Sequence, residues 1–219
     1  MKPLAVIFDW DVTVVDSVGA IHAALDETFD AYGDESGRWS RDDVADWLRR
    51  SMRVKFKDLF GGSAGAASAF FYDRYRNHHL ETVTLMPGVI DTLAMLQEAG
   101  VYLGVVSSKK GELVRAEARA LDIDRQFTRL VGASDASEDK PAPAAIALAL
   151  EESAVEPGKD VWYVGDCGID VVCARNSGCH SVIIGPEPAY VGEETHEPDQ
   201  HFVDHLAFQA FVRGTVFTI

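Results

Sequence analysis

Asp9 and Asp11, separated by one tryptophan and followed by Thr13, stand at the end of the apolar run Leu4 to Phe8. That run has the length and composition of a buried strand, so it delivers carboxylates and a hydroxyl together to its far end. A charge at such a position is unfavourable unless something pairs with it. Mg²⁺ is a natural partner, because it accepts one or two carboxylates along with waters and phosphate oxygens. A polar turn closing a strand uses the same residue types, so the pair alone leaves both readings open.

Further chemistry-bearing residues lie at the ends of other apolar runs. Ser107, Ser108 and Lys109 follow Val101–Val106, and Asp166 and Asp170 follow Val161–Val164; Lys140 precedes a helix. A carboxylate can attack phosphorus to give an acyl phosphate, and phosphoryl transfer then needs charge neutralisation and in-line placement. In this arrangement Asp9 attacks. Asp11, two residues on and on the same face of an extended strand, handles the proton. Mg²⁺ would screen Asp9 from the phosphate, with Asp166 completing its carboxylate shell. Ser107 offers a donor to a phosphate oxygen, and Lys140 a fixed charge that orients Asp9.

The elements that must position these groups are legible as periodicities. Ile21, Leu25, Thr28 and Phe29 have helical spacing, with Tyr32-Gly33 as a stop. Ser40 and Asp43 predict a helix start leading into Val44, Trp47 and Leu48. A helix over 66–80 carries Phe70, Phe71 and Tyr75 on a buried face. No strand is expected between Asp16 and Met86. Beyond Pro87-Gly88 the pattern alternates: a helix over 89–98 closed by Gly100, a strand over 101–106, and a helix over 112–121. A strand over 129–131, a helix over 141–152 with proline in its first turn, a strand over 161–164, a helix over 170–176 and a last strand over 181–184 follow. Alternation of this kind predicts an α/β fold, a Rossmann-like parallel sheet with helices on both faces. Ligands bind such sheets at the carboxyl ends of the strands. Residues 1–16 and 86–219 are read as the core and 17–85 as a helical cap inserted after the first strand, hinged at 15–18 and 83–87.

Four motifs in order resemble the haloacid dehalogenase-type hydrolase superfamily, in the phosphatase branch with a helical cap that includes phosphoglycolate phosphatases. They are Asp9-x-Asp11-x-Thr13, Ser107 at a strand end, Lys140-Pro141-Ala142-Pro143, and Gly165-Asp166-Cys167-Gly168-Ile169-Asp170. Met86-Pro87-Gly88-Val89 matches where the chain re-enters the core. The resemblance implies a Mg²⁺-dependent phosphatase acting through an aspartyl-phosphate on a small phosphorylated metabolite of the phosphoglycolate type. It makes Asp9 nucleophile and metal ligand, and Asp11 the acid/base with its backbone carbonyl on the metal. Asp166 becomes a ligand, and Asp170 a ligand or a support for one. Thr13, Ser107, Ser108 and Lys140 hold phosphate or the loop around it. Two residues depart from the pattern: Val12 stands where glycine is usual, and Ser108 where asparagine is common. A β-phosphoglucomutase-like transfer is the alternative within the fold. A dehalogenase would lack the second acid and need no metal, which Asp11 speaks against. A receiver-type phospho-switch or a binding protein on a degenerate phosphatase fold are the alternatives of another class.

The chain of 219 residues is 47% hydrophobic and carries a formal net charge of −15, which argues against a nucleic-acid partner. No apolar run approaches a membrane span. Met1-Lys2-Pro3-Leu4 leads straight into a strand, so no signal peptide is read and a cytoplasmic protein, monomer or homodimer, is expected. Cys167, Cys173 and Cys179 fit neither a zinc knuckle nor a redox pair and are read as reduced thiols. Arg49, Arg50, Arg53, Lys55 and Lys57 form a basic cluster in the cap; Arg49 and Arg53 are candidate contacts to an anionic leaving group, against a solvated helix face as the plainer reading. His196, His201 and His205 are read as surface histidines rather than a metal site. Trp10 is expected to pack in the core on the side away from the nucleophile, and Asp16 to cap the first cap helix or brace the hinge.

Overall fold

The computed structural model describes residues 2–33, 39–48, 52–185 and 197–216, with the side chains of residues 46, 52–55 and 216 outside that description. The first strand, β1 (Ala5–Phe8), is buried along its whole length. Its side chains alternate, Val6 and Phe8 to one face and Ala5 and Ile7 to the other, and each face is covered. Full burial of a Val, Ile or Phe side chain contributes about 1.5–3 kcal/mol, which is why so short a run holds the centre of the sheet.

A two-residue strand, β2 (Val15–Asp16), leads into a helical insertion made of α1 (Val18–Tyr32), α2 (Arg41–Leu48), α3 (Met52–Phe60) and α4 (Ala64–Thr82). Ile21, Leu25, Thr28 and Phe29 are the buried stripe of α1, as their spacing predicts, and Phe29 accepts the Gly33 N–H at its end. Ser40 and Asp43 form the reciprocal capping pair at the start of α2. The chain returns through β3 (Thr84–Leu85), antiparallel to β2. Sequence periodicity predicts no strand there, because two residues are too few to show alternation.

The remaining elements are α5 (Val89–Glu98), β4 (Tyr102–Lys110), α6 (Gly111–Ala120), β5 (Arg129–Ala133), α7 (Ala144–Leu150), β6 (Val161–Gly165), α8 (Gly168–Asn176), β7 (His180–Ile184), β8 (Gln200–Phe202) and α9 (His205–Val216). Three differences from expectation bear on the architecture around the site. Strand β4 runs on through Ser107–Lys110 with an irregularity in its pairing to β5. Helix α7 begins only after Pro143, so both prolines precede the helix. Strand β7 is not the last, since β8 adds beyond it.

All pairings in the six-stranded sheet are parallel, in the order β5-β4-β1-β6-β7-β8. The chain builds from β1 toward β5 on one side, then crosses to β6 on the other. The carboxyl end of β1 is therefore the switch point where such sheets bind ligands. Helices α7 and α8 cover one face; α5, α6 and α9 cover the other, and there the core runs on into the aromatic interior of the insertion. No helix among the described residues is long and apolar enough to cross a membrane.

Candidate active site

Asp9 follows β1 directly and stays in register with β6, donating its N–H to the Val164 carbonyl at 2.7 Å. Its carboxylate is buried and accepts from Lys140 Nζ at 2.8 Å. Lys140 arrives from the loop before α7, which Ser134 N–H to Asp139 and Asn176 Nδ2 to the Pro141 carbonyl hold in place. The same ammonium donates to Tyr163 Oη at 2.9 Å and to Asp170 Oδ1 at 2.7 Å. Asp170 Oδ2 accepts the N–H groups of Asp166 and Cys167. Both Asp170 oxygens are thus engaged in fixing Lys140 and the turn that carries Asp166. Gly165 makes this possible: a Cβ there would lie 2.3 Å from the Asp170 carboxyl carbon.

Asp11 is aligned differently from the expectation. β1 ends at Phe8, and residues 10–15 form a tight loop closed by Val14 and Val15 N–H to the Trp10 carbonyl. Strand alternation therefore does not put Asp11 beside Asp9. Instead Ser17 Oγ donates to Asp11 Oδ1, and Lys109 Nζ lies 2.6 Å from the same oxygen. Val12, inside the loop, has φ = 63°, the left-handed region that the usual glycine adopts without cost.

Ser107 is buried beside this pair and Ser108 is exposed; both line a cavity of about 70 Å³ together with Asp9, Asp11, Lys140 and Asp166. Ile21, Leu48, Phe71, Tyr72 and Tyr75 of the insertion form the opposite wall. Thr13 sits behind the site: its side chain is wholly buried, and its carbonyl accepts from His205 Nε2 at 2.8 Å. An adjoining cleft of about 750 Å³ shares Tyr72, Ser108 and Lys140 and is walled by Lys57, Arg76 and Lys110. Arg49 and Arg50 lie outside the described residues, as does His196, and the side chains of Arg53 and Lys55 are not described.

Electrostatics follow from burial. Burial drives the Asp9 carboxyl up, to about 7; Lys140 opposes this, while Asp170 and Asp11 add to it. Lys140 resists the lowering that burial imposes and is held well above the usual lysine range by Asp170 and Asp9. The Cys167 thiol is pushed well above its usual range by burial and by Asp166 and Asp170, so it stays protonated. All three cysteines are free and buried, in line with reduced thiols.

A buried network joins the site to the insertion, and sequence reasoning missed it. Lys109 Nζ contacts Asp11, both Glu117 oxygens at 2.8 and 2.9 Å, and Tyr75 Oη at 2.7 Å. Glu117 also accepts from Trp10 Nε1 at 2.6 Å and Tyr75 Oη at 2.8 Å, and pairs with His79 Nδ1 at 2.7 Å. Trp10 is fully buried as expected, but its indole N–H serves this network. Burial works to raise the Glu117 carboxyl, yet Lys109 and the hydrogen bonds from His79, Lys109 and Trp10 outweigh it and hold it at about 2. The available signal was position: Glu117 falls four residues after Leu113, on the apolar stripe of α6. His205 is likewise buried. It starts α9 while His201 lies on β8, so the two do not share a helix.

The family model for haloacid dehalogenase-like hydrolases matches residues 6–184. The chain belongs to that family. Among curated proteins, phosphoglycolate phosphatase of Escherichia coli strain K12 is 30% identical over 200 residues, covering 81% of this chain and 79% of the relative. Phosphoglycolate phosphatase 1 of Pseudomonas aeruginosa is 30% identical over 186 residues, covering 80% and 67%. Among solved structures, a haloacid dehalogenase-like family hydrolase from Streptococcus pneumoniae superposes with TM-score 0.82 at 22% identity, over 95% of this chain and 98% of that one. CbbY from Rhodobacter sphaeroides, solved in complex with phosphate, gives 0.72 at 22% identity over 93% and 95%. Within the haloacid dehalogenase-like hydrolases the chain is thus a phosphatase-type enzyme for phosphorylated small molecules.

Proposed function

We propose that this enzyme hydrolyses a small phosphate monoester through an aspartyl-phosphate on Asp9, with Mg²⁺ as cofactor and phosphoglycolate-like esters as the favoured substrates. The observation that carries the reading is Asp9 itself, buried at the carboxyl end of β1, fixed by Lys140 and facing a small cavity with Asp11, Ser107 and Asp166.

The residues fit a hard divalent cation. Asp9, Asp11, Asp166, Asp170 and Glu117 together meet only Lys109 and Lys140 as buried lysine partners among the described residues. The excess is negative, and Asp170 and Asp11 add to the rise that burial imposes on the Asp9 carboxyl. Asp9 and Asp166 would hold the ion by carboxylate oxygens, with the Asp11 carbonyl as the resemblance implies. Cys167, protonated and sulfur-bearing, is no ligand for magnesium. When bound, the ion supplies positive charge that lowers the repulsion between Asp9 and the phosphoryl oxygens.

An Asp9 oxygen attacks phosphorus and the ester P–O bond breaks; the leaving oxygen takes a proton from Asp11. Water then gives a proton to Asp11 and attacks phosphorus, which releases Asp9 and inorganic phosphate. Ser107 donates to a phosphoryl oxygen, and Lys140 keeps Asp9 aimed. The helical insertion acts as a cap that excludes water, with the β2–β3 ribbon as its hinge. Lys110, whose ammonium lies 4.2 Å from the Tyr72 ring centre, flanks the route for an anionic leaving group. Three reduced, buried thiols suit a cytoplasmic enzyme.

Phosphate release from a panel of phosphorylated metabolites with Mg²⁺ tests the reading. Asp9→Asn is expected to lower kcat by about 10³-fold or more; turnover that survives that substitution would remove Asp9 as nucleophile.

A further inference from the structure

Glu117 has no place in the chemistry above, yet it is fully buried and is contacted by four different side chains. A buried carboxylate is kept at a cost that only good partners offset, so its partners indicate what it does. Two come from the core, Trp10 and Lys109; two come from one face of the cap helix α4, Tyr75 and His79, four residues and one turn apart. Lys109 is the link to the chemistry: its ammonium spans from Glu117 to Asp11. The Tyr75 ring lies against the same ammonium, 4.9 Å from its centre, and stacks on His79.

We propose that Glu117 is a positioning residue for proton transfer: it anchors Lys109, which sets the Asp11 carboxylate, and Tyr75 and His79 complete the anchor only when the cap helix is seated. The inference rests on Asp11 being the proton-transfer group of the proposed function. Lys109 has a long, flexible stem that by itself would not fix the carboxylate it touches. Held between Glu117 and Tyr75, it has one position. Trp10, next in sequence to Asp9, ties the loop backbone to the same carboxylate. Seating of α4 is thereby read out at the acid/base, so efficient protonation of the leaving oxygen awaits a closed site.

Rapid-quench single turnover with two substrates tests this. Phosphoglycolate, an alkyl ester, needs a proton on its leaving oxygen, whereas 2,4-dinitrophenyl phosphate does not. Glu117→Gln is expected to slow phosphoryl transfer from the alkyl ester by about 10- to 100-fold, as loss of alignment of a general acid does. Transfer from the dinitrophenyl ester should change less than about 3-fold, since that step draws little on general-acid catalysis. Tyr75→Phe keeps the ring, loses only the hydroxyl, and should show the same contrast more weakly. It carries the test alone if Glu117→Gln lacks a cooperative melting transition. Equal losses for both substrates, or a folded Glu117→Gln with unchanged alkyl-ester transfer, overturn the inference. Asp11→Asn in the same experiment separates the two claims. If Asp11→Asn shows the leaving-group contrast and the other variants do not, the inference falls and the proposed function stands. If Asp11→Asn lacks the contrast, proton transfer by Asp11 falls and the inference with it.

Discussion

Val12 holds φ at 63° one residue after Asp11. A non-glycine residue there costs about 1–2 kcal/mol, and a β-branched one is an outlier. The loop tolerates it because its backbone is tied on both sides, Val12 N–H to the Val15 carbonyl and Val14 N–H to the Trp10 carbonyl. Val12→Gly is expected to gain up to about 1 kcal/mol net of glycine's own entropy, a rise in Tm of about 2–4 °C for a chain of this size. A thermal melt showing a lower Tm would mean that contacts of the valine side chain outweigh its backbone cost. At this scale the sequence was informative where a residue type is unusual for its place. Asp9 and Asp166 follow apolar runs and Lys140 precedes one, and all three line the same cavity. Asp170 was ambiguous until Lys140 was seen to occupy one of its oxygens. Glu117 was missed because a glutamate in an amphipathic helix ordinarily faces water.

Element α9 braces the loop from behind. His205, its first residue, donates from Nε2 to the Thr13 carbonyl, and its Nδ1 lies 3.2 Å from Thr92 Oγ1 on α5. Gln209, one turn on, reaches the Gly88 carbonyl. Burial lowers the His205 pKa against the opposing pull of the Thr13 carbonyl and Asp204. The folded state therefore holds it neutral, and the unfolded chain takes up the proton first as pH falls through about 6.5. Stability from this group is complete above that pH and is lost below it. His205→Gln should lose about 1–2 kcal/mol at pH 8, and urea denaturation should find that gap narrowing toward pH 5. A gap that widened on acidification would contradict the assignment. None of this was readable from spacing, which sets His205 beside His201 without revealing that a strand ends and a helix begins between them. The β2–β3 ribbon and β8 were hidden for a related reason, being too short to carry a period, and Pro143 delays α7 where the apolar pattern alone starts it earlier.

For the molecule as a whole, the order of strands does most of the work. Because β4, β1 and β6 are neighbours and all parallel, residues far apart in sequence meet at one sheet edge: Ser107, Asp9 and Asp166. That convergence followed from the alternation of helix and strand, and it was legible in advance. The contact between insertion and core was not, since nothing local in α4 says that Tyr75 and His79 meet Glu117. The negative excess at the edge gives a prediction for the whole enzyme. Chelation should abolish turnover, and Mg²⁺ should restore it. Ca²⁺, larger and satisfied by looser coordination, should restore far less, which steady-state phosphate release will measure; full activity in chelator would contradict the account.

The central claim is a covalent bond between Asp9 and phosphorus. Reaction with substrate and Mg²⁺, quenched within one turnover and reduced with borohydride, converts an aspartyl-phosphate to homoserine that peptide mass spectrometry can locate. Homoserine at position 9, dependent on substrate and missing from Asp9→Asn, is the expected result. Turnover without any modification at position 9, or with modification at another acid, would contradict it.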